Sequence, residues 1–238
     1  MLRLRNERLP TRAALRPVLP YLLICGLLWF GAYNVLLNAA ERRVDAGTAS
    51  MIVNVGPIFV AIFAGLLLHE GFPRALIVGC AISFAGVLVI GLATSTGSAT
   101  TLGVVLCLAA ALAYSAALVA QKLVVGRIAP LQTTFLCCVI GAVACLPFAP
   151  ALAHDLGDAS TKHVAWLVYL GLGPTAVGFT TWAYALARTD AGRLGSTTYL
   201  VPPISIVLGW ALLGETPQTL AYLGGALCLA GVIVARRR

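Results

Sequence analysis

Charge is scarce in this chain. Of its 238 residues only 10% are Asp, Glu, Lys or Arg, whereas 60% are hydrophobic, and the mean hydropathy is +0.96. A soluble domain carries about 25% charge, so a conventional wet surface is excluded and the chain reads as an integral membrane protein. No acidic residue falls at the centre of an apolar run, which leaves no carboxylate for a mid-membrane proton relay. No nucleophile–base set and no glycine-rich phosphate loop is present, so enzymatic chemistry is not expected, nor any cofactor. The three histidines, His69, His154 and His163, are too scattered for a metal site. The seven cysteines (25, 80, 107, 137, 138, 145 and 228) lie inside apolar runs without the spacing of a zinc or redox motif. They read as small packing residues. Alternating stretches of about ten residues are also missing, which excludes a membrane β-barrel.

What the chain does have is long apolar runs. Each reaches about twenty residues, the length of a helix crossing roughly 30 Å of hydrocarbon. Eight such spans are predicted, at 21–39, 48–69, 74–93, 101–121, 131–150, 164–186, 195–214 and 218–235. The connections are short. The longest, Ala151 to His163, holds His154, Asp155, Asp158 and Lys162, and it reads as an aqueous loop and a natural linker. Residues 1–20 carry Arg3, Arg5, Arg8, Arg12 and Arg16 and read as a basic cytoplasmic tail, mirrored by a short basic end at 236–238. A cleaved signal peptide is the competing reading of the N-terminus. It is set aside because the first span has a partner later in the chain.

A net charge of +8 raises the question of nucleic acid, but the charges sit at span ends, where they set topology. With the N-terminus inside, thirteen of the sixteen basic residues are cytoplasmic, and only Arg42, Arg43 and Lys162 lie outside. Both termini are therefore expected in the cytoplasm, and the Ala-, Gly- and Arg-rich composition points to a bacterial plasma membrane.

Sliding the chain along itself by 145 residues aligns two modules. Pro57 falls on Pro202 and Glu70 on Glu215. Arg43, Asp45, Ala46 and Gly47 fall on Arg188, Asp190, Ala191 and Gly192. Gly26 falls on Gly171, Gly79 on Gly224, and Gly86-Val87 on Gly231-Val232. One period contains five helices, an odd number, so the second copy enters the membrane from the opposite side. The fold expected is an all-α polytopic bundle of about eight helices with an inverted-topology repeat, an arrangement suited to alternating access.

The twin Pro-to-Glu helices, each followed by a helix of Gly and small residues, resemble the EamA module of the drug/metabolite transporter superfamily. That resemblance implies two five-helix modules. Residues 101–235 would form a complete second module and residues 21–93 the last three helices of the first. It also implies that a first hairpin of two helices is missing from that module and that the first of them would line the transport path. A mis-chosen start, a truncated gene and a partner chain supplying the hairpin are three open explanations. The activity implied is secondary transport, in the direction of export, of a small metabolite, amino-acid-like solute or drug. The alternative is a partner-dependent membrane subunit that does not transport.

Polar side chains within hydrocarbon face a cavity or another helix. Tyr33, Asn34 and Asn38, with Ser50 and Asn54, form one cluster; Thr180, Thr181, Trp182 and Tyr184, with Ser196 to Tyr199, form its counterpart. Asn34 and Asn38 share a helix face, while Asn54 and Tyr199 are repeat equivalents expected to meet near a pseudo-twofold axis. Candidate substrate-binding residues are Asn34, Asn38, Asn54, Tyr114, Trp182 and Tyr199; the competing reading is that these groups hold helices together. Pro57 and Pro202 are expected helix-kink sites, either as bending points or as fixed kinks, and Gly173-Pro174 marks another break. Glu70 and Glu215 read as helix-end residues that anchor the chain at the interface or cap the following helix. Gly79, Ser83 and Gly86, with Gly224, Cys228 and Gly231, read as close-packing stripes, within the fold or between protomers. With no Lys or Arg in mid-span, a neutral, zwitterionic or aromatic solute is favoured over an anion. Expected partners are this solute, the lipid bilayer and either a second copy or a chain supplying further helices, with no nucleic acid.

Overall fold

A computed structural model of the chain describes residues 10–95, 97, 99–213 and 219–237. Glu215, Arg3, Arg5, Arg8 and Arg238 lie outside the described residues. After a helical turn at Arg12–Leu15, capped by Thr11, the chain forms α1 (Leu19–Glu41), α2 (Ala46–Val53), α3 (Gly56–Leu67) and α4 (Arg74–Thr94). It continues through α5 (Thr101–Val125), α6 (Pro130–Ala144), α7 (Ala149–Gly157) and α8 (Thr161–Leu186). The last elements are α9 (Ala191–Ser196), a 3₁₀ turn at Thr197–Leu200, α10 (Val201–Leu213) and α11 (Thr219–Ala235). No strand occurs among the described residues.

Five of these stretches are long and apolar enough to cross a bilayer: Leu19–Glu41, Gly47–Leu67, Arg74–Ala93, α5 and α8. A sixth candidate is the pair formed by α6 and Leu146–Gly157, bent by 51° at the junction. The seventh and eighth expected spans coincide with α9–α10 and with the 17-residue apolar α11. Large apolar side chains such as Leu66, Leu92 and Leu212 stand exposed, as the lipid-facing surface of a membrane protein does. The loop expected at 151–163 is corrected: α7 carries the chain in helical form to Gly157, and Ser160 then caps α8 through the amide of His163. His154 and Asp155 stand exposed on α7, and Lys162 stands exposed in the first turn of α8.

The chain forms two compact units, each drawing on both sequence modules. One contains the described residues up to Gly31 with Ala120–Thr189; the other contains Ala32–Val119 with those from Asp190 onward.

In the second unit α4 and α11 pack backbone to backbone. A Cβ on Gly86 would stand 2.5 Å from the carbonyl oxygen of Gly224 and 2.7 Å from the amide nitrogen of Cys228. Gly79 meets Gly231 and Ala235 in the same way, so the two helices run antiparallel. Between them the Ser83 hydroxyl donates to the carbonyl of Cys228 at 3.2 Å, and the Cys228 thiol donates to the carbonyl of Ser83 at 3.4 Å. Ser83 and Cys228 are themselves 145 residues apart. A residue that exchanges bonds with its own repeat equivalent marks a local twofold axis, so the repeat is inverted and the small-residue stripes pack within the fold. Leu76, Cys80, Val87, Ile90, Val232 and Ala235 complete the core around this crossing, together with Tyr199. The repeat is also visible at helix ends. Arg43 and Arg188, equivalents, each donate to the carbonyl four residues back, those of Ala39 and Tyr184.

The crossing predicts a sharp asymmetry among glycines. Gly86→Leu forces α4 from α11 and lowers stability by about 1–3 kcal/mol. Gly157→Ala, whose added Cβ has nothing within 4 Å, leaves it unchanged. Thermal unfolding of the two variants in one detergent measures the difference.

Candidate functional site

Helical regularity fails at equivalent positions in the two copies. In α1, residues Gly26–Tyr33 form a π-helical segment, and in α8 so do Gly171–Gly178. The 145-residue shift superposes these segments end to end, although they share only their opening Gly-Leu. π-helical turns are rare and concentrate at functional sites. In α8 the cause is Pro174, which has no N–H to give the ladder. Hydroxyls then serve the loosened carbonyls. Thr175 donates to Leu170 at 2.9 Å, Thr180 to Ala176 at 2.6 Å and Thr181 to Val177 at 2.9 Å.

A second paired irregularity lies one helix further on. The ladder opens at Asn54-Val55 between α2 and α3, and as the 3₁₀ turn before α10. Pro57 and Pro202 thus stand in the first turn of α3 and α10, with each interruption in the preceding turn. There the missing proline N–H would have bonded backwards.

In the first unit the π-helical segments gather aromatic rings. Trp29 meets Phe179 edge-on at 5.1 Å and Trp182 at 6.2 Å, while Phe30 lies 4.8 Å from Phe179. The indole N–H of Trp182 is buried with no partner among the described residues. The same holds for the whole Gln121 side chain and for the Thr134 hydroxyl. Trp29, Phe30 and Phe179 are absent from the expected site because aromatic residues in apolar runs carry no polarity signal. Gln121 was read as span end. Its spacing of seven from Tyr114, which puts both on one face of α5, was the available signal.

In the second unit Tyr33 and Tyr114 approach at 6.1 Å, and Tyr114 packs over Gly56, whose carbonyl accepts from Ser115 at 2.9 Å. Tyr199 is 0% exposed, and its hydroxyl has no partner among the described residues. The asparagines behave differently. Asn38 donates to the carbonyl of Asn34 at 2.7 Å, and Asn54 to that of Ser50 at 2.8 Å, so both amides serve their own helices. No described hydrogen bond joins Asn54 to Tyr199. Asn54 ends α2, whereas Tyr199 belongs to the core around α4 and α11.

The charged residues are spent on helix ends. Glu70 was expected to cap the next helix, α4, but its carboxylate accepts from the amides of Ala191 at 2.8 Å and Gly192 at 3.1 Å, the start of α9. The positive N-terminal end of a helix favours a carboxylate. Asp190 is free to turn to Arg193, 3.7 Å away. Its equivalent Asp45 caps its own helix instead, accepting from the Thr48 amide at 3.0 Å and the Thr48 hydroxyl at 2.8 Å. In the first unit the Lys122 ammonium donates to the carbonyls of Leu186 at 2.9 Å and Thr189 at 2.6 Å, neutralising the negative end of α8. No group of His, Cys, Asp and Glu able to hold a metal occurs among the described residues.

Polytopic apolar helices with an inverted repeat define a multi-pass membrane protein. The chain belongs to the EamA-like transporter family, whose model matches residues 3–92 and again 101–237. It is 39% identical to a probable terminal-alkyne amino-acid exporter of Streptantibioticus cattleyicolor, over 92% of this chain and 74% of that protein. It is 30% identical to the uncharacterized transporter YdfC of Bacillus subtilis, over 90% and 70%, and 25% identical to a probable amino-acid metabolite efflux pump of Salmonella typhimurium, over 92% and 78%. A solved crystal structure with a TM-score of 0.74 and 22% identity covers 90% of this chain and 75% of its own, and shares the fold.

The Glu70 tie gives a stability prediction. Glu70→Ala leaves two amides without their acceptor and costs about 1.5–3 kcal/mol, the range for hydrogen bonds to charged groups. Glu70→Gln keeps one acceptor oxygen and costs less. Thermal unfolding in detergent ranks the three proteins.

Proposed function

We propose that this transporter exports a small amino-acid-like solute by alternating access, exchanging the states of its two inverted copies. The observation that carries the reading is the reciprocal Ser83–Cys228 pair on the antiparallel α4–α11 crossing, because near-mirror copies are what such an exchange requires. Two relatives are named for amino-acid export or efflux, which supports this substrate class. The buried groups without described partners point the same way. The Trp182 indole, the Tyr199 hydroxyl, the Gln121 amide and the Thr134 hydroxyl are all uncharged, while Glu70 and Lys122 are bound to backbone. A zwitterion or neutral solute matches hydroxyl, amide and aromatic groups better than an anion would.

The test is counterflow of radiolabelled neutral and aromatic amino acids into sealed proteoliposomes holding only this chain. Tyr199→Phe and Trp182→Phe keep ring volume or aromaticity and remove one donor each. Each is expected to slow flux about tenfold, the worth of one hydrogen bond of ~1.4 kcal/mol. Unchanged flux in both would remove these groups from the path; the absence of flux in the folded parent protein would overturn the proposal itself.

The membrane is further proposed to be a bacterial plasma membrane with both termini in the cytoplasm, on the strength of the basic residues at span ends. A green fluorescent protein fused after Arg238 fluoresces in that orientation and stays dark in the reverse one.

A further inference from the structure

Helices α10 and α11, both in the second unit, leave a groove of about 240 Å³ between them. Nine residues line it, and every one is apolar, aromatic or glycine. One end is set by Pro203 in the first turn of α10 and Leu229 in the second half of α11. The floor there is tight, since a Cβ on Gly225 would stand 3.4 Å from the Pro203 side chain. The other end is walled by Trp210, in the last turn of α10, and Tyr222, in the first turn of α11. These two residues are 58% and 60% exposed.

The groove has a basis in sequence that only the second copy supplies. Its depth comes from Ala221 and Gly225, where the 145-residue shift places Leu76 and Cys80. Its aromatic wall comes from Trp210 and Tyr222, where the first copy has Gly65 and Ile77. The surface itself faces lipid in both copies. Ile62 and Ile77, the equivalents of Val207 and Tyr222, are 39% and 51% exposed, while their neighbours Ala61 and Leu76 are buried in the core. The outer side of each helix pair therefore continues the lipid-facing surface of the protein.

We propose that this groove is a binding site for one acyl chain of a membrane phospholipid. The chain lies along α10, with its headgroup end at Trp210 and Tyr222 and its tail toward Pro203 and Leu229. Seven residues separate Pro203 from Trp210, a rise of about 10 Å, which fits within one leaflet of a hydrocarbon core roughly 30 Å thick. Trp and Tyr settle at headgroup level, and here they stand at the helix ends. The attraction is not hydrophobic, because lipid tails are as apolar as the groove. It is one of fit: a fixed concave surface left unfilled forfeits dispersion contacts, and a flexible chain restores them. A second copy of this chain is a poorer occupant, since nine residues fall well short of the roughly 20–30 a side that a stable protein interface uses. The solute proposed above is polar, and the floor of Pro203, Ala221 and Gly225 offers it no side-chain hydrogen bond.

The probe is a phosphatidylethanolamine with a diazirine midway along one acyl chain, held at trace level in vesicles of phosphatidylethanolamine and phosphatidylglycerol that contain the full chain. After photolysis, adducts are mapped by mass spectrometry of peptides. Adducts at Ile206, Val207 and Leu229 are expected to exceed those at Ile62 and Ile77 by about fivefold, the gain from roughly five to ten added carbon contacts. Ala226→Leu, at an exposed position on the groove's edge, fills it and is expected to bring the two levels together with the thermal transition unchanged. Ala221→Leu, which supplies the side chain the first copy carries at Leu76, makes the same test independently. Equal adducts in the two copies of the unaltered protein, as bulk lipid gives, would overturn the proposal. So would adducts that neither substitution reduces in a folded chain. Groove adducts that fall as the protein-to-lipid ratio rises, while cross-linked dimers appear, would assign the groove to a second copy instead. Nothing is transported in this measurement, so it stands or falls separately from the exporter reading.

Discussion

The crossing of α4 with α11 is the contact on which the second unit depends. Between helices in a bilayer there is no hydrophobic drive, since lipid tails are as apolar as leucine; association rests on close packing and on hydrogen bonds. Gly79, Gly86, Gly224 and Gly231 bring the two backbones within reach, and only then can the Ser83 hydroxyl and the Cys228 thiol touch each other's carbonyl. Because each group meets its own repeat equivalent, the geometry admits a single relation between the helices, a local twofold. The rest of that core, from Leu76 to Ala235, adds side chains to a frame that small residues have already set.

Charge does a different job. With so little of it, the chain places ions where helix dipoles are strongest and water is nearest. Glu70 reaches across to the start of α9, and Lys122 holds the end of α8. Both close backbone groups that hydrocarbon would leave unsatisfied. The two copies solve the problem unequally: the helix after Asp45 is capped by its own aspartate, whereas the helix after Asp190 borrows a glutamate 121 residues away. An inverted repeat thus carries distinct fastenings at its two equivalent turns.

Much of this was legible in residue order. The apolar runs located the helices, and the recurrence of Pro57, Glu70 and the glycines at a fixed shift gave the inverted repeat, because span length and backbone approach are local demands that restrict composition. The 151–163 segment misled because polar residues on an exposed helix have the composition of a loop. Glu70 misled because which amide a carboxylate reaches is a tertiary fact that its own neighbours do not encode. Asn38 and Asn54 stand out in the sequence by polarity alone, which does not encode that each amide also donates to the carbonyl four residues back on its own helix. The aromatic group of Trp29, Phe30 and Phe179 left no trace because, in a chain 60% hydrophobic, an aromatic ring is not unusual.

The paired π-helical segments are a backbone feature that the two copies share. Opening a helical ladder inside hydrocarbon leaves carbonyls short of donors, a cost no sequence drift would preserve without compensation. Yet Gly26–Tyr33 and Gly171–Gly178 open at the same repeat positions with six of eight residues different. One uses Pro174 and a threonine hydroxyl; the other has no proline. Different side chains producing one backbone shape mean that the shape is what the repeat retains. A loosened turn is also the least costly place for a helix to change direction. Both copies carry such a turn, and in the first unit the Trp29–Trp182 contact lies beside it, where the buried indole N–H has no described partner.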